Sequence, residues 1–221
     1  MRMILRIARK ELEVLFYSPI AWFLLLLFTV QTALSFMGIY AALIPRRMPT
    51  MSMQIFSNNL WPVVQTYLYY YIPLLTMGVV SRELSSGSIK LLYSSPVKNH
   101  EIIFGKYLAM IVYALAMFGV LMIYVVICGI TVKDFEWTST LVGWFGLFML
   151  TCTYMAIGIF VSSLTRYQFV AAIGTFVMFM LLGNLWNFGQ EYDFVRDVTY
   201  WTCILGRAST FVSGLICSED L

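Results

Sequence analysis

Charge is what this sequence has least of. Only 11% of its 221 residues are Asp, Glu, Lys or Arg, while 61% are hydrophobic. A soluble domain carries about a quarter charged and about half apolar residues, so most of this surface meets something other than water. Histidine occurs once, at His100, which leaves no ligand cluster for a metal and reads as a solvated loop residue. The four cysteines show no C-x-x-C spacing. Cys128 and Cys152 lie in apolar runs, where a free thiol behaves as a small hydrophobe. Cys203 and Cys217 share the last polar segment; a disulfide and two free thiols both fit there, since sequence does not fix Cα spacing. A net charge of +3, scattered between apolar blocks, speaks against a nucleic-acid partner, which clusters cations on one face.

What the chain has in abundance is long apolar runs. A helix crossing a hydrocarbon core of about 30 Å needs about 20 apolar residues. Five segments qualify: 20–44, 61–80, 107–130, 139–161 and 169–188, none with Asp, Glu, Lys, Arg or His. They lack period-two alternation and are about twice the length of barrel strands. The expected fold is therefore an all-α membrane protein, a single domain over 1–221. The first run is too long for a signal peptide, and Ile44-Pro45-Arg46-Arg47 offers no small-x-small cleavage site, so it reads as a retained span.

Residues 1–18 differ in kind. Ile4, Leu5, Ala8, Leu12, Leu15 and Phe16 recur at helical spacing, with Arg2, Arg6, Arg9, Lys10 and Glu13 on the other side. That predicts an amphipathic helix lying along the bilayer surface, ended by Ser18-Pro19; a basic tail that only sets topology is the simpler reading. With the N-terminus cytoplasmic, nine of the 14 Lys and Arg residues fall inside, in 1–18, 81–106 and at Arg166. The bias favours that orientation, although Arg46 and Arg47 oppose it. Trp22, Trp61, Tyr107, Trp137 and Trp201 gather near span ends, as interfacial belts do.

The uncharged spans exclude several functions. An ion-driven transporter keeps ionisable groups within its spans, and an intramembrane hydrolase needs a base or a metal beside its nucleophile. Nothing of the kind occurs here, so energy for any transport has to come from a partner. Gln31, Thr32 and Ser35, or Asn184 and Asn187, could line a path, but interhelical hydrogen bonding is the simpler reading. Gly158, Ala171, Ala172 and Gly174 read as close packing positions. The Tyr67-Leu68-Tyr69-Tyr70-Tyr71 cluster reads equally as aromatic packing or as the lining of an amphiphile path.

Between the second and third spans runs SRELSSGSIKLLYSSPVKNHEIIFGKYLA, from Ser81. It opens on Arg82-Glu83, continues as a helix with Ile89, Leu92 and Tyr93 on its apolar edge, turns at Ser94-Ser95-Pro96, and reaches Gly105-Lys106. A short helix parallel to the membrane, ready to dock in a groove, fits this pattern; a solvated loop is the alternative. The segment resembles the coupling region of ABC-2 type permeases, the membrane subunits of type-II ABC exporters. The matching positions are Glu83, Gly87-Ser88 (with Ser where Thr is usual), Ile89 to Leu92, Ser95-Pro96-Val97 and Gly105-Lys106. Arg82 stands where a second acidic residue is frequent. Arg9-Lys10-Glu11-Leu12 through Ser18-Pro19 is similar to the family's amphipathic leading helix, and Ser162-Ser163-Leu164-Thr165-Arg166-Tyr167-Gln168 to its second cytoplasmic turn. Within that family the chain resembles permeases of the gliding-motility type.

The resemblance implies a permease subunit in a bacterial inner membrane, working as a homodimer or with a homologous permease. It implies ATP and Mg on a separate nucleotide-binding ATPase subunit and no cofactor on this chain, which lacks G-x-x-x-x-G-K-[ST] and is not expected to be an enzyme. The coupling set is Arg82, Glu83, Gly87, Ser88, Ile89, Lys90, Leu92, Tyr93, Pro96 and Arg166. Gly87 would permit close backbone approach and Pro96 would stiffen the turn. Arg6, Arg9, Lys10 and Leu12 belong to the interfacial helix. A sixth span is also implied, and 189–221 resembles the extracytoplasmic stretch leading into it, so the chain reads as incomplete. A non-transporting scaffold for a surface machine is the alternative function; an enzyme is disfavoured.

Overall fold

A computed structural model describes residues 2–43, 55–88, 98–132 and 135–184. Helix α1, Arg2–Tyr17, is followed by α2, Pro19–Leu43. A π-turn, Phe56–Leu60, leads into α3, Trp61–Thr76, and the short α4, Ser81–Ser86. Then come α5, Asn99–Thr131, α6, Trp137–Leu164, and α7, Gln168–Asn184. No strand occurs among the described residues. Among the described residues, four helical stretches are long and apolar enough to cross a membrane: Pro19–Leu43, Phe56–Ser86, Asn99–Thr131 and Trp137–Leu164. The 17 residues of α7 sit at the short limit of about 17–25 for a span, and predicted positions 185–188 lie outside the described residues. The protein is an all-α, multi-pass membrane protein.

Helices α5 and α6 overrun their predicted spans because polarity, which marks the hydrocarbon boundary, does not end helical hydrogen bonding, whereas α3 stops at Thr76, short of the predicted end at Val80, where residues 77–80 break the helix. The largest overrun is in α5, which starts at Asn99 rather than Tyr107 and so takes Lys106 into the helix. Ser18 breaks α1 from α2 as expected, and Pro19 stands at the first helical position, where its missing N–H costs nothing.

Contacts divide the chain into two compact units. The first comprises Met1–Val30, Tyr69–Val120 and Thr151–Phe176. In it, Trp22 Nε1 donates to the Phe16 carbonyl (2.6 Å) and the Tyr113 hydroxyl to the Ala21 carbonyl (2.7 Å), closing the α1–α2 elbow. Phe28 meets Tyr71 edge-on, and Tyr69 meets Tyr154 and Phe176. Gly158 lies where any Cβ would run into the Thr76 side chain, and Ala171 is buried; both are packing positions, as read from the sequence.

The second unit comprises Gln31–Leu68, Leu121–Leu150 and Val177–Leu221. Here Phe36 stacks on Tyr124 at 4.9 Å, Thr32 lies 3.5 Å from the Tyr124 hydroxyl, and Ser35 hydrogen-bonds the Tyr67 hydroxyl at 2.7 Å. These span hydroxyls therefore join helices, and the tyrosines of 67–71 pack on aromatic and hydroxyl neighbours. Cys128 is a buried free thiol. Arg46, Arg47, Asn187, Cys203, Cys217 and the Asn184 side chain lie outside what is described.

Candidate functional site

The buried ion pairs of the first unit converge on the end of α3. Residues 77–80 break the helix before α4 begins, and a break within an apolar bundle strands backbone donors and acceptors that must find partners. The Ser162 hydroxyl at the end of α6 takes most of them. It accepts from Val80 N and Ser81 N, both at 3.2 Å, and donates to the Met77 carbonyl at 3.0 Å. One donor and two acceptor sites exhaust a hydroxyl. The Ser81 hydroxyl also donates to Met77 O.

Another carbonyl of the break, Val79 O, is taken by Lys106. Its ammonium donates to Val79 O at 2.9 Å, to Glu11 Oε1 at 2.6 Å and to Glu83 Oε1 at 2.7 Å. Three N–H groups meet three acceptors, so the cation is fully satisfied. Its side chain is 3% exposed, against 19% for Glu11 and 24% for Glu83. A buried charge is tolerated only when paired and hydrogen-bonded in this way.

Local sequence explains how the three groups reach one another. On α1, Ile4, Ile7, Ala8, Glu11 and Leu15 follow helical spacing and form the packed face. Glu11 is thus the one acid on the inward stripe, while Arg6, Arg9 and Lys10 are exposed on the other side, Arg9 bridging Glu13 at 3.4 Å. Leu5, predicted on the apolar face, is exposed, and Leu12 is half-buried on its flank. Gly105 lets α1 come close: a Cβ there would lie 2.7 Å from Ile7 Cγ2 and 3.3 Å from Ile4 O. The Gly105-Lys106 pair therefore supplies both the space and the charge that dock α1 on α5.

At the other end of α4, Gly87 adopts φ +72°, the left-handed conformation that ends helices and favours glycine. Among the described residues nothing lies within 4 Å of its Cβ position, so within this chain it is φ that accounts for the glycine. The Ser88 hydroxyl reaches back to the Glu83 carbonyl (3.5 Å) and to Ser86 Oγ (2.8 Å).

Of the residues singled out from sequence, Glu83 is in the cluster, and Gly87 and Ser88 cap α4. Arg82 is exposed and faces α1, lining a groove with Lys10 and Val14. Arg166 is exposed in the α6–α7 turn and does not join. Ile89, Lys90, Leu92, Tyr93 and Pro96 lie outside the described residues. Glu11, Lys106 and Ser162 were quoted only as motif letters. The signal that could have found them is Glu11 at helical spacing between Ile7 and Leu15.

Removing the Ser162 hydroxyl leaves the Val80 and Ser81 N–H groups without a partner, while Met77 O keeps the Ser81 hydroxyl. Ser162→Ala is expected to cost about 1–3 kcal/mol, seen as a lowered melting temperature in detergent. Ser163→Ala, whose exposed hydroxyl only bonds the Phe160 carbonyl, should stay within about 0.5 kcal/mol of the parent.

Residues 5–191 match the family described as ABC-2 family transporter protein. No curated protein and no solved structure matches the chain. The matched stretch holds Glu11, the 77–80 break, Gly105-Lys106 and Ser162 together, which in the structure are one assembly of a membrane bundle. This chain belongs to the ABC-2 transporter family.

Proposed function

We propose that the protein is the permease subunit of an ATP-driven exporter, its N-terminus cytoplasmic, and that it couples hydrolysis on a separate nucleotide-binding subunit to movement of substrate. The observation that carries this reading is the Lys106 cluster. It fastens α4, which leads into the 89–97 segment, to α5 through Glu83 and to α1 through Glu11. A push received by that segment from an ATPase is then delivered to three helices at once, as a rigid-body tilt rather than local bending. The family supports an ATPase partner, and the lack of G-x-x-x-x-G-K-[ST] in this sequence supports reading ATP and Mg as that partner's. A homodimer, or a homologous permease partner, would complete the path in a bacterial inner membrane.

The test is direct. A photo-crosslinker at Ser88, which caps the segment, should trap a nucleotide-binding protein in native membranes, and vesicles containing both proteins should show ATP-dependent flux. Recovery of the chain without any such partner would sink the coupling role and leave a membrane scaffold as the better reading.

A further inference from the structure

The α1–α2 elbow carries a binding feature that the Lys106 cluster does not use. An open groove runs between the last turns of α1 and Arg82, lined by Lys10, Glu13, Val14, Tyr17, Ser18 and Arg82. It adjoins a cavity of about 80 Å³, sharing Val14, Ser18 and Arg82 with it. The walls of that cavity include Ala21 and Leu24 from the first turns of α2 and Leu74 and Leu75 from the last of α3. The groove is cationic at its mouth and the cavity is apolar within.

The charges can be assigned one by one. Glu13 is bridged by Arg9, and Glu11, on the cavity wall, is held by Lys106. The Lys106 cluster as a whole holds two carboxylates and one ammonium, so an anion would be repelled from its end of the cavity. Lys10 and Arg82 form no ion pair among the described residues. Tyr17, 87% exposed, lines the same groove and carries a hydroxyl, a neutral donor. The apolar part is built from spans and the cationic part from an amphipathic surface helix, so the elbow marks the depth at which lipid headgroups meet acyl chains.

We infer that this elbow holds an anionic phospholipid, its phosphodiester at Lys10, Arg82 and Tyr17 and the start of an acyl chain in the apolar cavity. A soluble anion would leave the apolar half empty, and a zwitterionic lipid would gain less from the two cations. Each cation near an anionic headgroup is worth roughly a five-fold preference, so two give about twenty-five-fold. The site does not depend on an ATPase partner and would stand if the coupling role failed.

The experiment is native mass spectrometry of the full chain in neutral detergent, titrated with phosphatidylglycerol, phosphatidylcholine of the same acyl chains, and glycerol phosphate. One phosphatidylglycerol should bind per chain, with about twenty-five-fold preference over phosphatidylcholine. Lys10→Gln with Arg82→Gln should remove the preference, while Arg166→Gln should keep it. Glu13→Gln, which takes an acid from the mouth and releases Arg9, should strengthen phosphatidylglycerol binding a few-fold and needs no loss of function to be read. Equal binding of the two lipids, loss of preference in Arg166→Gln, or glycerol phosphate binding as well as phosphatidylglycerol would each overturn the assignment.

Discussion

Replacing Lys106 with Met should destabilise the protein by about 3–5 kcal/mol, the cost of leaving buried charge without its partner. Two carboxylates would face each other with no cation between them, and Val79 O would lose its donor. In a chain of this size the melting temperature in detergent should fall by roughly 10 °C, and reconstituted transport should be lost with it. Neutralising the acids as well, with Glu11→Gln and Glu83→Gln added to Lys106→Met, should recover much of the stability, because no unpaired charge remains. It should not recover transport, since α1, α4 and α5 would no longer be tied together. A single Lys106→Met chain as stable as the parent would show that the cluster contributes nothing.

The second large effect is steric. Gly105→Leu places a branched side chain where even a Cβ would sit 2.7 Å from Ile7 Cγ2 and 3.3 Å from Ile4 O. Part of that obstacle is backbone and cannot rotate away, so α1 must lift. Overpacking of this kind costs about 1–3 kcal/mol, but the sharper readout is local. Trypsin should cut at Arg9 or Lys10 much faster than in the parent, while the remaining helices stay protected. The milder Gly105→Ala should be relieved only in part by Ile7→Ala, because the Ile7 Cβ, 2.9 Å away, remains. Unchanged cleavage in Gly105→Leu would mean that α1 does not depend on this contact.

How much of this was legible in the sequence varied with the physics involved. The spans were, because about 20 uncharged residues have few alternatives in a chain so apolar. The elbow at Ser18-Pro19 was, because proline can open a helix but not continue one. The site was legible only in fragments. Glu83 stood out for its place after a span, yet its partner Lys106 entered only as part of the Gly105-Lys106 motif, because a charge at the edge of an apolar run usually just marks where the run begins. Burial reverses that reading, and burial follows from Gly105, whose effect appears only once α1 is laid against α5. Ser162 was hidden more deeply: nothing in a serine reveals that it will close a break 85 residues earlier in the chain. Arg166, four residues further on and more conspicuous, remains outside the cluster.

The Lys106 ion pairs also impose an order on biogenesis. Glu11 precedes Lys106 by 95 residues and Glu83 by 23, so both acids are synthesised before their counter-ion exists. Until the third span is inserted, the leading helix has no charge to anchor it and its acid stays solvated. The bundle thus acquires its fastening late, from a residue delivered by the membrane-insertion machinery after two spans are already in place. Lys106 acts as a latch on assembly as well as on the finished structure.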